Sequence, residues 1–264
     1  MIRVTRGPEP AELSAARERG LGEIRAARGE NPDHQVKSGD IDGYQCAAEP
    51  LWRAQGEKCC YCEKDIDRSY NDVEHYRPKT QYWWLAWDWS NLLFACPQCN
   101  RSNKRASFPL LEESDRLQPE QRPPGDEQPL LIDPAGTGDP LDSIEFVPQS
   151  IGRRTRWIPI ERNRCLRGRR TIEVLRLGHA LLVERYSKHV NGMPRRLVND
   201  VRDAIQTGNA REIQRAWRRL IRSCLQQDRP FAALSHDFIA HHIPAEIRAR
   251  WNLDLPRPPL ERTG

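Results

Sequence analysis

The sequence lacks any long apolar run: no stretch approaches the roughly 18 consecutive apolar residues of a membrane-spanning helix. It also lacks an apolar signal core behind residues 1–6. Hydrophobic residues fill only 38% of the 264 positions, whereas charged residues fill 30%. These shortages predict a cytoplasmic protein that does not enter a membrane, with a small core, a large solvated surface and some flexible stretches.

The net charge of +5 is modest, but the arginines are unevenly spread. Eight arginines and a single acidic residue, Glu161, occur within residues 153–170, and a second basic cluster occupies residues 211–222 of a predicted helix. Because phosphates are bound by local patches rather than by net charge, either cluster could contact nucleic acid. Solvated helix faces, or a surface that docks a protein, would explain the same two clusters.

A stretch rich in Ala, Glu and Arg predicts an N-terminal helix. The pattern of apolar residues predicts three C-terminal helices, the last of them with Asn209 as its N-cap. Two short extended segments are expected near residues 130–132 and 144–147. A stretch dense in Pro, Glu, Gln and Gly predicts a loop at residues 112–138. The predicted helices cover residues 11–28, 171 to about 189, 194–206 and 210–227.

Together these elements predict an α+β protein in which a compact module is flanked by mostly helical regions. We divide the chain into an N-terminal helical region (1–50), the module (51–110), a loop-rich and Arg-rich connecting region (111–170) and a helical C-terminal region (171–264).

Eight cysteines in a cytoplasmic chain are better explained by metal binding than by disulfides. Four of them form two Cys-x-x-Cys pairs, Cys59/Cys62 and Cys96/Cys99, which together offer the four thiolates that structural zinc prefers. Such a closed site leaves no open coordination position, so this zinc would be structural. Four reduced thiols, or two redox-active pairs, are the alternatives. The 33 residues between the two pairs exceed the spacing of a minimal zinc ribbon, which predicts a substantial insertion.

The insertion contains residue types that phosphodiester hydrolysis needs: a base for the attacking water, ligands for a Lewis acid, and cations for the developing charge. His75 titrates near neutrality and can take the proton from water. Glu74 and Asn100 offer oxygen ligands suited to Mg²⁺ or Mn²⁺. Lys104 follows Asn100 by four residues on a predicted helix, so the two should share a face.

Arg77 and Lys79 could contact phosphate from the hairpin loop, as Lys104 could from the helix. Each of these three side chains could equally be an ordinary solvated charge. The aromatic-rich run at residues 82–89 admits two interpretations, stacking on bases or core packing. We favour core packing, because a zinc module of about fifty residues needs large apolar side chains.

The combined pattern resembles the HNH endonucleases with the ββα-metal fold, in which a hairpin and a helix hold one divalent cation. The matching pieces are the Glu74–His75 pair, a central Asn91, and Asn100 directly after the second Cys-x-x-Cys. The resemblance implies that Asn91 orients the catalytic histidine by hydrogen bonding. The sequence departs from the common pattern in having Glu before the histidine and Asn as the last ligand, and both keep an oxygen donor.

A wider resemblance covers about residues 1–190. The opening Arg-Gly-Pro-Glu-Pro (6–10), the module (58–109), the Leu-Ile-Asp-Pro segment (131–134) and the Thr-Ile-Glu-Val-Leu helix start (171–175) are similar to the PtuB-like HNH proteins of Septu and retron anti-phage defence. This resemblance implies a nuclease that works with an ABC-type ATPase partner.

The leading hypothesis is therefore a metal-dependent endonuclease that cuts nucleic acid, with DNA favoured over RNA. One rival is a zinc-dependent module that binds nucleic acid without cutting it, and another is a subunit that assembles a larger complex. The presence together of Glu74, His75, Asn91 and Asn100 favours the enzyme, because a binding module has no need of all four.

Overall fold

The structure is a computed structural model, and it describes residues 1–152 and 154–261. Arg153, the first arginine of the predicted basic cluster, and residues 262–264, the end of the predicted C-terminal region, lie outside the described residues. Eight α-helices and two small antiparallel sheets occur in the described part of the chain. The predicted α+β class is confirmed. No helix in these ranges combines the length and apolar character needed to cross a membrane.

The N-terminal half folds around a short hairpin. Its two strands pair antiparallel, with His75 opposite Leu92, and a single helical segment of π type follows the second strand. This order is the ββα arrangement that the sequence predicts. The elements are α1 (Ala11–Glu30), α2 (Ala48–Ala54), β1 (Asp72–His75), β2 (Leu92–Ala95) and the π-helix (Gln98–Lys104).

The C-terminal half consists of a second hairpin and a group of helices. The Asn209 side chain caps α6 as predicted, because its Oδ1 accepts from the backbone N–H groups of Arg211 and Glu212 at 3.1 and 3.4 Å. The elements are β3 (Ile144–Ile151), β4 (Arg154–Glu161), α3 (Leu166–Leu175), α4 (Ala180–Asn191), α5 (Met193–Thr207), α6 (Ala210–Leu225), α7 (Ala232–His242) and α8 (Ala245–Arg250).

The single helix predicted from residue 171 to about 189 is wrong, because α3 and α4 are separate. Arg176 ends α3 in the left-handed region, at φ 51° and ψ 42°, and the His179 side chain then caps α4 by accepting from the Leu181 N–H at 3.4 Å. The apolar positions on either side of the break both face the interior. Periodicity alone therefore does not reveal that the axis changes direction.

Two other elements differ from the prediction. The α7 helix is buried over most of its surface, so it lacks the amphipathic period by which a surface helix is recognised. The extended segment expected at residues 130–132 does not form a strand: the Leu130 N–H donates to Pro109 O, beside an isolated bridge between Leu110 and Pro129. The segment at 144–147 does form a strand, and β4 pairs with it along its full length.

The apolar side chains form two clusters. The first joins α1, the ββα module and the aromatic run, and the second joins β3, β4 and helices α4–α7. Trp87 is 1% exposed, which confirms core packing for the aromatic run. Gly20 of α1 faces it so closely that a Cβ there would lie 2.3 Å from Trp87 Cζ2. The absence of a side chain at residue 20 is what lets α1 pack against the module.

Candidate metal centre and active site

The two Cys-x-x-Cys pairs converge on one point. The Sγ atoms of Cys59, Cys62, Cys96 and Cys99 all lie within 4.8 Å of one another, and all four side chains are buried. Tetrahedral zinc with bonds of about 2.3 Å places its sulfur ligands about 3.8 Å apart, and the Cys62 and Cys96 sulfurs are 3.9 Å apart. The donor type, number and spacing therefore fit a structural zinc ion. Cys60 has no such role, since it is not a member of the cluster.

His75 ends β1 and is 7% exposed. Its Nε2 lies 2.9 Å from the Ala86 carbonyl oxygen, which can only accept, so Nε2 carries the hydrogen and Nδ1 is left as the basic nitrogen. Burial lowers the pKa of His75 to about 3, and the imidazole is therefore neutral at pH 7. The Tyr44 ring meets it edge-on, with the ring centroids 4.7 Å apart. The histidine is thus held in one tautomer, uncharged and sheltered.

Glu74 is buried in an ion pair. Its Oε1 lies 2.7 Å from the Lys104 Nζ and accepts from the Tyr61 hydroxyl at 3.2 Å. Burial raises the pKa of Glu74, and the nearby Lys104 ammonium opposes that rise. The same ammonium donates to the His75 carbonyl oxygen at 2.8 Å, which ties the helix to β1 beside the histidine.

Lys104 is fully buried, so it does not offer the surface cation that the sequence predicts. Gln98–Lys104 is wound as a π-helix, in which the hydrogen bonds run from i to i+5. Its Lys104 end packs against β1, where the ammonium group meets the Glu74 carboxylate and the His75 carbonyl oxygen. Asn100 stays at the surface side of the segment and donates from Nδ2 to Asp72 Oδ2 at 3.2 Å, while Lys104 turns inward.

Asn91 does not hydrogen-bond His75, which corrects the role implied by the resemblance. Its Oδ1 accepts from the Arg77 N–H at 2.7 Å, and its Nδ2 donates to the carbonyls of Arg77 and Leu85 at 3.1 Å each. The Leu85 carbonyl immediately precedes Ala86, whose own carbonyl holds His75. Asn91 therefore positions the histidine indirectly, by fixing the backbone of the loop between the two strands.

Arg77 and Lys79 are both engaged in contacts within the protein. Arg77 is buried, and its Nε donates to Glu127 at 2.8 Å, so it is not placed to bind a phosphate. Lys79 is half-buried and donates to the Tyr44 hydroxyl at 3.0 Å and to Ser38 O at 3.2 Å. Glu127 comes from the stretch predicted as a loop, and it also accepts from the Tyr82 hydroxyl at 2.5 Å.

The donor atoms predicted for a divalent cation are of the right kind, but they are not gathered as the four sulfurs are. Among the residues that the structure describes, the cysteine cluster is the only group of three or more Cys, His, Asp or Glu side chains close enough to hold a metal. Glu74 already pairs with an ammonium group. The Asn100 amide uses its nitrogen toward Asp72, so its oxygen, the atom that would bind a metal, is not engaged in that bond.

Comparison with known proteins agrees with this geometry. Residues 59–105 match the family model described as HNH endonuclease. The chain is similar to the Septu protein PtuB of Bacillus mycoides (strain KBAB4), with 34% identity over 164 residues, 55% of each chain. It is also similar to the Septu protein PtuB of Bacillus thuringiensis, with 42% identity over 52 residues, 19% of this chain and 20% of that protein.

The chain thus spans about half the length of the first of these relatives and a fifth of the second. The residues matched by the family model include both cysteine pairs, the hairpin that carries Glu74 and His75, and the helix after it. Residues 59–105 of this chain match the HNH endonuclease model and contain the four-cysteine cluster that could hold a metal ion.

Proposed function

We propose that this protein is a metal-dependent endonuclease that hydrolyses phosphodiester bonds, with DNA as its favoured substrate and His75 as its general base. The state of His75 supports this proposal most directly. A general base must be unprotonated and must have a free nitrogen, and the bond from Nε2 to Ala86 O leaves Nδ1 available on a neutral ring. His189 is neutral and singly hydrogen-bonded in the same way, so the position of His75 beside Glu74, within the residues that match the HNH family model, completes the support.

The surrounding residues would hold this base in position. The Ala86 carbonyl fixes the tautomer, and Asn91 fixes the loop that carries Ala86. The Glu74–Lys104 pair anchors the backbone of His75 from the side of the helix. In the proposed reaction, Nδ1 of His75 takes the proton from the attacking water.

A divalent cation, Mg²⁺ or Mn²⁺, would supply Lewis-acid stabilisation of the scissile phosphate when bound. The Glu74 carboxylate and the Asn100 amide oxygen are the candidate protein donors, by the chemistry of those groups. Because Lys104 already neutralises Glu74, the cation would have to share that carboxylate with the ammonium group. We therefore propose that the free protein binds the divalent cation only weakly.

We further propose that the nuclease acts in anti-phage defence together with an ABC-type ATPase partner. The support is the similarity to two proteins named Septu protein PtuB and the wider resemblance of residues 1–190 to that family. Because the similarity covers about half of the relative's length, the partner and the substrate are both open to direct test.

The test is cleavage of plasmid DNA, single-stranded DNA and tRNA in Mg²⁺, Mn²⁺ or EDTA, with and without the product of the neighbouring gene. We expect His75→Ala to lower the cleavage rate by on the order of 10²–10⁴, the contribution of a general base. His241→Ala, which removes an exposed histidine outside the module, should cut at the wild-type rate. Zinc content and nucleic-acid binding should be unchanged in both variants.

Wild-type cleavage by the His75→Ala variant, under conditions in which the intact protein cuts, would place the active site elsewhere. No cleavage by the intact protein with any substrate, metal or partner, combined with clear binding, would instead support the rival function of a zinc-dependent binding module.

A further inference from the structure

The two basic clusters of the sequence behave differently in the structure. In the first, three of the seven arginines that the structure describes are paired with neighbouring acids. Arg162 contacts Asp237 at 3.2 Å and Glu145 at 3.4 Å, and Arg169 contacts Glu161 at 2.9 Å. Arg170 is paired with Glu173 in the same way, at 2.8 Å. These side chains are largely committed to contacts within the protein.

The second cluster lies on α6 and lacks such neutralisation. Within the part of the chain that the structure describes, the only ion pair of its arginines joins Arg219 to Asp200 across 3.9 Å. The exposed side chains line one surface groove with a volume of about 440 Å³. We call it the arginine groove, and its lining residues are Arg215, Arg218, Arg219, Arg222 and Ser223.

Folding does not explain this arrangement. The opposite face of α6 carries the apolar residues that dock the helix, among them Trp217, Leu220 and Cys224, all buried. Like charges three and four residues apart destabilise a helix, and the four arginines form several such pairs. A solvated face of mixed charge would stabilise the helix better. The concentration of one charge therefore suggests that the groove binds an anion.

We infer that the arginine groove binds the phosphodiester backbone of nucleic acid, and this inference rests on the proposed nuclease function for its choice of ligand. Guanidinium groups match phosphate oxygens in a bidentate fork. Between Arg215 and Arg222 the helix rises about 10 Å, enough to follow successive phosphates along one strand. Because the apolar face fixes α6 in the second core, the arginines are presented from a rigid support.

A protein partner fits the groove less well. Protein interfaces have an apolar centre with charged groups at the rim, whereas the groove is lined by four arginines and one serine. Its chemistry matches a regular polyanion, and the backbone of DNA and of RNA both supply one.

The test is equilibrium binding of fluorescein-labelled 20-base-pair DNA, and of single-stranded RNA of similar length, without added Mg²⁺ or Mn²⁺ so that no cleavage intervenes. We expect Arg215→Gln/Arg222→Gln to weaken binding on the order of tenfold or more at about 0.1 M salt. The slope of the salt dependence should also fall, by about one unit for each arginine–phosphate interaction that is removed. Arg215→Lys/Arg222→Lys should keep most of the affinity. Comparing the two probes shows which nucleic acid the groove holds more tightly.

The matched control is Arg169→Gln/Arg170→Gln, which removes two exposed but paired charges. It should bind as the wild type does. The melting temperature of the α6 variant should stay the same or rise, because like-charge pairs are removed, so unfolding would not explain weaker binding. Equal losses in both double-Gln variants, unchanged binding by the α6 variant, or no binding of either probe by the intact protein would each overturn the inference.

These results separate the two proposals. If the α6 variant still cleaves and its binding is unchanged, the nuclease function is supported and nucleic-acid binding by the arginine groove is contradicted. If the α6 variant binds more weakly and the intact protein does not cleave, nucleic-acid binding by the arginine groove is supported and the nuclease function is contradicted.

Discussion

The nuclease module and the C-terminal helical region use charge in opposite ways. Buried ion pairs, among them Glu74–Lys104 and Arg77–Glu127, lie in or against the module. The helical region has an almost wholly apolar core, and it keeps its arginines at the surface. The interior of the module thus combines apolar packing with ion pairs and cysteines, whereas the helices rely on apolar packing.

The difference shows what each region needs. In the module, a metal and buried hydrogen bonds would add to the apolar packing and fix side chains in one geometry. The helical bundle is large enough to be held by apolar burial, which leaves its charges free for a ligand. Removing a buried charge or a sulfur should therefore damage the module far more than the equivalent change damages the helices.

The largest expected effect is the loss of one zinc-site cysteine. We expect about one zinc per chain, and Cys96→Ser should lose it and unfold the module, because structural zinc contributes on the order of 10 kcal/mol to such folds. Cys224→Ser, a buried cysteine in the second core, should cost only about 1–3 kcal/mol and keep the metal. Elemental analysis and tryptophan fluorescence measure both. A zinc-free Cys96→Ser protein with a native module would refute the contrast.

Breaking the buried ion pair should come next. Lys104→Met leaves the Glu74 carboxylate buried without its partner, and we expect a loss of about 3–5 kcal/mol in the free energy of unfolding. The double variant Glu74→Gln/Lys104→Met should recover part of that loss, since neither charge then remains. Lys188→Met, at a lysine side chain that is 77% exposed, is the control and should stay within about 0.5 kcal/mol of wild type. Urea denaturation provides the measurement, and equal stability of the two single variants would argue against the buried pair.

The smallest effect concerns pH and is shared by the two regions. Burial lowers the pKa of His189 to about 4, and it lowers that of His75 to about 3. In the unfolded chain both imidazoles take up a proton near pH 6.5. Their contribution to the free energy of unfolding is therefore fully present above that pH and is lost as the pH drops toward 4. The His189→Gln side chain can still hydrogen-bond Ser235 but does not titrate. This variant should therefore lose on the order of 2 kcal/mol less free energy of unfolding than the wild type between pH 7 and 5. Urea titrations between pH 7 and 5 measure this difference. If the free energy of unfolding falls equally with pH in variant and wild type, His189 does not contribute to the pH dependence.

The sequence predicts the parts of the site that are local in the chain. The two cysteine pairs and the Glu74–His75 pair are short motifs with fixed spacing, and the hairpin and the helix are what the resemblance to the HNH endonucleases implies. It does not predict Glu127 or Tyr44, because each reaches the site only through the tertiary fold. It misplaces Lys104, because the groups that hold this ammonium group in the interior, the Glu74 carboxylate and the His75 carbonyl oxygen, lie on β1 and meet it only in the tertiary fold.

The fold shows the same division. The helices α5 and α6 lie close to their predicted bounds, since burial of one face imposes the period that reveals them. The α1 helix also lies close to its predicted bounds, and there the signal is a composition rich in Ala, Glu and Arg. The break between α3 and α4 escapes detection because the apolar positions of the two helices fit one continuous helical period. The β3–β4 hairpin is missed in part because Pro148 and Pro159 lie within it, and proline is tolerated there only because both strands are edges.

The contact between Gly20 and Trp87 carries a consequence for how this chain can vary. The two positions are 67 residues apart and belong to different elements, yet the space for one ring exists only because the other position has no side chain. A side chain at position 20 therefore becomes tolerable only together with a smaller side chain at position 87. In related chains, a residue larger than glycine in this helix should accompany a smaller side chain in place of the tryptophan, so that helix and module change as a pair.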